Sequence, residues 1–118
     1  MLEFRKQLEA KIEGIAQSLT GKVLLGMVEE ETTAPFAVYT IRHEPVRTKT
    51  GIAGYNSYVD ISVYDIESKR LELTRSKIIN GLDRQRMDGK RLLYTSDEYG
   101  VNLEKTVLNA YTITFKIR

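Results

Sequence analysis

Residues 56 to 65, NSYVDISVYD, alternate apolar and polar side chains and then give way directly to a charged stretch at helical spacing. Val59, Ile61 and Val63 fall on one side of an extended chain, with Tyr58, Asp60, Ser62 and Tyr64 on the other, because successive side chains of a strand point to opposite faces. Beyond them Leu71, Thr74, Ile78 and Leu82 recur every three or four residues while Lys69, Arg70, Glu72, Arg75 and Lys77 occupy the intervening positions, the pattern of a helix with one buried face. Asp65 or Ser68 is placed to cap that helix. The junction predicts a half-buried strand covered by the helix that follows it.

The flanking segments extend this frame. Leu2, Phe4, Leu8, Ile12, Ile15, Ala16 and Leu19 mark an amphipathic helix over about residues 2 to 19, with Gly21 as its left-handed end. KVLLGMV, residues 22 to 28, reads as a buried strand, and Pro35 opens a second one, PFAVYTIRH, since proline is tolerated at the start of a strand. EPVRTKTGIAG, residues 44 to 54, carries turn chemistry over a span too long for a tight hairpin, which predicts a projecting β-arm or an exposed loop. Asp88-Gly89 signals a turn. KRLLYTSDEYG makes a strand running into another turn, and Val107, Tyr111, Ile113, Phe115 and Ile117 alternate with Thr112, Thr114 and Lys116 in the last strand. The expected fold is α+β: a mainly antiparallel sheet of about five strands, two helices packed on one face, and a long arm or loop. No repeat, low-complexity tract or linker divides residues 1–118, so a single domain is expected.

Composition narrows the function classes. A chain of 118 residues with 42% hydrophobic and 29% charged content has enough apolar material for a core and too little net charge, +2, to stay disordered. Basic and acidic residues are interspersed, so the small excess does not by itself indicate a nucleic-acid partner. With no cysteine there is no disulfide, thiolate metal site or cysteine nucleophile. No apolar run has the length of a membrane span or of a secretion signal, which predicts a soluble protein with no membrane partner, made in the cytoplasm.

Catalytic patterns are sparse. His43 is the sole histidine; one imidazole does not make a zinc site, and Glu44 beside it on a strand points to the opposite face. Asp60, Asp65, Asp97 and Glu98 match no metal-ligand spacing, and the phosphate-binding loop, dinucleotide fingerprint, nucleophile elbow and zinc-helix motifs are absent. No enzyme activity and no cofactor are expected. Arg42, Arg47 and Lys49 lie on or near the 44–54 segment, with Tyr55 and Tyr58 just past it. Such a mixture suits a protein contact, a solvated loop, or phosphate binding with base stacking. Of the seven tyrosines, Tyr39, Tyr64 and Tyr111 fall in strands, where the ring packs and the hydroxyl reaches a rim or a partner.

Taken in order, the N-terminal helix, PFAVY, the 44–54 segment, YVDISVYD leading into LTRSKIINGL, and the closing VLNAYTITFKI resemble the bacteriophage tail terminator family, also called tail-completion or head–tail joining proteins. The resemblance runs from about residue 4 to 117 and rests on element order and strand-edge phrases: Pro35-Phe36 matches the family's proline-aromatic strand entry, and Asp60 to Asp65 its central strand. It implies a non-enzymatic protein of a phage or prophage. Copies would form a ring, a hexamer when assembled, on the tail tube. The ring would end tube polymerisation and offer a surface to the neck or head. The implied partners are further copies, the major tail tube protein and the neck or head-completion protein, with DNA passing through the ring without specific binding. The implied locations are the host cytoplasm during assembly and then the virion. The segment from Glu44 to Gly54 corresponds to where family members vary and meet partners, which assigns Arg42, Arg47, Lys49 and Tyr55 to subunit or tail-tube contact. The acidic run at 29 to 31 would complement that basic segment on an adjacent copy. Alternatives are a neck (head-closure) adaptor and, from another class, a small nucleic-acid-binding or processing protein.

Overall fold

The computed structural model describes residues 2–26, 33–102 and 108–118. Helix α1 (Leu2–Ile15) carries Phe4, Leu8 and Ile12 on its buried stripe and passes into a 3-10 turn, Gln17–Leu19, rather than running on to residue 19. Gly21 takes a positive φ of 70° as expected, but it closes the 3-10 turn instead of α1. Strand β1 (Val23–Leu25) follows, then β2 (Phe36–Thr48) and β3 (Gly51–Asp65), helix α2 (Ser68–Leu82), the two-residue β4 (Arg86–Met87), β5 (Lys90–Asn102) and β6 (Leu108–Ile117). The acidic run at 29 to 31, the end of KVLLGMV and Val107 lie outside the described residues.

The strands form one sheet in the order β1-β2-β3-β6-β5-β4. All its pairs are antiparallel except β1 with β2, so the α+β architecture is as expected, with six strands instead of about five. The additional strand is β4, joined to β5 through Asp88 and Gly89, whose φ values of 50° and 72° make the two-residue turn that suits a hairpin. Two residues carry no periodicity, so β4 left no trace in the sequence pattern.

One face of the sheet is covered by both helices. Ala37, Tyr39, Val59, Ile61, Val63, Ile113 and Phe115 meet Phe4, Leu8, Ile12, Leu71, Ile78 and Leu82 in a continuous buried core. Strand alternation puts Phe36, Val38, Thr40 and Arg42 of β2, Tyr58, Asp60, Ser62 and Tyr64 of β3 and Ala110, Thr112, Thr114 and Lys116 of β6 on the opposite face, where Phe36 and Val38 are buried as well. Cross-strand contacts finish that face: Phe36 stacks on Tyr64 at 4.9 Å, Ser62 and Thr112 hydroxyls meet at 2.9 Å, and Thr114 donates to Asp60 at 2.7 Å.

The β3-to-α2 junction is held differently from the expected cap. Glu67 occupies the N-cap position without a side-chain hydrogen bond, and neither Asp65 nor Ser68 caps. Asp65 points inward, 1% exposed, accepts the Glu67 N–H at 3.1 Å and takes both arms of the Arg70 guanidinium at 2.6 and 2.7 Å. A carboxylate so deeply buried requires that fork-shaped partner. Tyr39 is likewise fully buried rather than at a rim, and its hydroxyl donates to Glu9 at 2.8 Å across the α1 interface.

Candidate interaction surface

The longest exposed feature is the far half of the β2–β3 hairpin. Pairing of β3 with β6 begins at Ser57 and Ile117, so among the described residues Gly51 to Asn56 and their β2 partners have no third strand beside them, and they extend about 20 Å past the sheet. Of the two forms expected for this segment, a projecting β-arm or an exposed loop, it takes the first: strand on both sides, turning over only Lys49 and Thr50 between Thr48 and Gly51. Gly51 has φ of 126°, which a side chain would strain. Thr48 braces the turn by accepting the Thr50 N–H and donating to the Gly51 carbonyl.

Pro45 sits within β2, against the expectation that the proline marks loop. The Ala37 N–H donates to Lys22 and the Tyr39 carbonyl accepts from Gly26, so these residues turn their backbone to the outer edge. By alternation Ile41, His43, Pro45 and Arg47 do the same. The missing N–H of Pro45 thus falls on an edge that, among the described residues, has no neighbour beyond Tyr39.

The four residues assigned to contact do not form one patch. Arg42 lies on the face opposite the helices at the root of the arm, where it pairs with Asp60 at 2.8 Å and with Glu44, and sits 4.4 Å over the Tyr58 ring. The hydrogen bond it donates to Asp60 is the main cause of its raised pKa, and the guanidinium stays charged. Arg47 and Tyr55 share the other face of the hairpin, where Pro45 pairs with Tyr55 and Arg47 with Ile52, and Lys49 is at the tip. Among the described residues, neither Arg47 nor Lys49 takes part in an ion pair. Tyr55, Ile52 and Val46 are at least two-fifths exposed, so the arm combines free positive charge with accessible apolar surface.

A second surface went unread in the sequence. On the helix side of β5, Asp97 takes the Arg75 guanidinium at 2.5 and 3.0 Å and the Tyr94 hydroxyl, while Tyr111 donates to Glu72 and lies 5.1 Å under Arg75. The Asp97 carboxyl is lowered chiefly by Arg75, and the Tyr111 hydroxyl is raised chiefly by its hydrogen bond to Glu72. Next to this cluster Tyr99 and Val101 are about half exposed. Only the partners across space, which single-sequence periodicity does not reveal, make the cluster visible.

Neither surface has the form of a reaction centre. The clefts, of about 300 to 400 Å³, are lined by such residues as Lys69, Glu72 and Tyr99, or Gly14, Arg70 and Lys77. His43 Nδ1 meets the Ser57 hydroxyl at 2.6 Å on the arm root. Among the described residues no group of three acidic or histidine side chains is placed to hold a metal ion, and no helix is long and apolar enough to cross a membrane.

A scan against protein-family models and a search of curated proteins return no match for this chain. Among solved structures it is similar to a chain of the virion of a native gene transfer agent particle, with a TM-score of 0.59, 14% identity, and coverage of 94% of this chain and 92% of that one. At that identity the likeness establishes a shared fold across nearly the whole of both chains.

Proposed function

We propose that this protein is a structural component of a phage-like particle, specifically a tail-terminator-like domain over residues 1–118. Copies would join in a ring, a hexamer when assembled, at the head-proximal end of the tail tube. The observation that carries the reading is a fold shared with a virion chain, combined with an exposed arm bearing Arg47, Lys49 and Tyr55. The sequence resemblance to tail terminators supports the finer role. The ring would stop tube growth and offer its other side to the neck, with DNA passing through without specific binding. It acts by surface shape, without catalysis or a cofactor. Identical heterologous contacts close into a ring when their rotations add to a full turn, and sheet edges with projecting hairpins are suited to such contacts. Assembly would take place in the bacterial cytoplasm and leave the protein in the virion.

Deleting the gene from its phage or prophage and imaging the particles tests this. Abnormally long, headless tubes are expected. Tails of normal length attached to heads, with the protein absent from them, would refute the terminator role.

A further inference from the structure

The outer margin of β5 is protected over its first half and bare over its second. β4 pairs with Lys90 and Arg91, the 84–85 backbone hydrogen-bonds to both groups of Leu92, and the Asp83 carboxylate accepts the Tyr94 N–H at 2.9 Å. A bulge at Thr95 follows. Past it, the alternation that turned Leu92 and Tyr94 outward continues at Asp97, Tyr99 and Val101. Among the described residues nothing pairs with their outward N–H and C=O groups. Edges left open like this are templates for another strand, and natural proteins usually block them with proline, lysine or a bulge. Ser96–Asn102 has no proline, lysine or bulge, and its charged residues are Asp97 and Glu98.

We propose that this stretch of β5 receives the arm strand of a second copy, residues 42 to 48 of its β2, in antiparallel pairing. The inference rests on the reading that copies of this chain associate. Three observations select this occupant. Among the described residues the free segments match in length, because β2 is covered by β1 up to Tyr39 and the arm turns at Lys49, just as β5 is covered up to Tyr94 and runs to Asn102. Their faces match, since Arg47, Pro45 and His43 continue the helix-side row of Ile41, and Asp97, Tyr99 and Val101 lie on the helix side of β5. Their charges match, since the arm carries Arg47 and Lys49 and the β5 stretch carries Glu98 beside Asp97, which Arg75 already holds.

Setting Arg47 across from Asp97 places Pro45 on Tyr99 and Val46 opposite Glu98. The Pro45 carbonyl then accepts the Tyr99 N–H, and the Tyr99 carbonyl is left to water. The contact also constrains the assembly. Tyr99 is level with Ala37 across its own sheet, so each copy is displaced from the Ala37 level to the Pro45 level, about 26 Å along the strands. Four strands, β2, β3, β6 and β5, recur per copy and span about 19 Å across. A closed ring therefore requires strands tilted by about 54°, steeper than the roughly 35–45° of most closed sheets.

The chain has no cysteine of its own, which permits a direct test on purified protein. Val46→Cys and Glu98→Cys proteins are mixed and oxidised, since directly opposed residues of an antiparallel pair lie within disulfide reach. The expected product is the disulfide between the two different variants, with little dimer of either alone. Adding Tyr99→Pro to the Glu98→Cys chain, with the fold checked by circular dichroism, should lower its yield about tenfold by removing the central N–H. A Glu98→Cys homodimer, equal amounts of all three dimers, or no mixed dimer would overturn the proposal. The terminator reading is scored separately, by tail length in the gene deletion, so either can fail alone.

Discussion

At the scale of single residues, buried carboxylates decide how the fold responds to acid. Burial of Asp65 raises its pKa, but the Arg70 fork and the Glu67 N–H outweigh it and hold the carboxyl below its ordinary value. Asp97 is also lowered, by Arg75 against desolvation. A depressed native pKa gives stability that is present above the unfolded value, near 4, and lost as pH falls through the native one. Asp65→Asn should therefore lower the stability measured in urea by about 2 kcal/mol at pH 7, and the gap from the parent should shrink at pH 3. Arg42 and Arg47 should separate in the same assay. Arg42→Ala removes the Asp60 pair and the Tyr58 contact and should cost about 0.5 to 1 kcal/mol. Arg47→Ala should leave the urea midpoint unchanged.

At the scale of elements, the α1–α2 contact depends on a missing side chain. A Cβ on Gly81 would stand 2.8 Å from Ile15 Cγ1, so the helices approach through the space that glycine leaves. Gly81→Val should destabilise by about 1 to 3 kcal/mol, and combining it with Ile15→Ala should give less than the sum of the two single losses. The arm is the converse case: it adds nothing to the core. Replacing residues 45 to 55 with Asn-Gly should leave the thermal midpoint within a few degrees of the parent, as followed by circular dichroism.

These elements also show which features sequence periodicity can reveal. β3, α2 and β6 were legible because each buries one face, and burial of one face writes a period into the sequence. The arm was half legible. It buries neither face, so its composition matched that of a loop, and only cross-strand hydrogen bonds make it strand. Asp65 resembled a cap because aspartate commonly precedes helices, whereas its partner, Arg70, was decided by the inward turn of the chain. Among the residues expected at a contact, Arg47, Lys49 and Tyr55 lie on the exposed arm. Arg42 does not, because Asp60 and Glu44 lie within its reach on the folded sheet. The bare half of β5 left no mark, since an edge is defined by what does not lie beside it.

At the scale of the whole molecule, with extents of 49 × 29 × 23 Å, positive charge at the arm tip and acidic groups along β5 would make the proposed self-association sensitive to salt. Sedimentation at low and high ionic strength should show association weakening as salt rises, and Arg47→Glu combined with Lys49→Glu should abolish the dependence along with most of the association. An assembly indifferent to both would exclude an electrostatic contribution.

The hairpin's root bears on how readily it is captured. β2 and β3 run unbroken from the middle of the sheet into the projection, and the Arg42, Tyr58, Asp60 and Thr114 contacts clamp the base. A probe mounted this way holds its aim before anything meets it. In the proposed assembly docking would then forfeit little configurational freedom, and a modest contact area would suffice to hold one neighbour against the next.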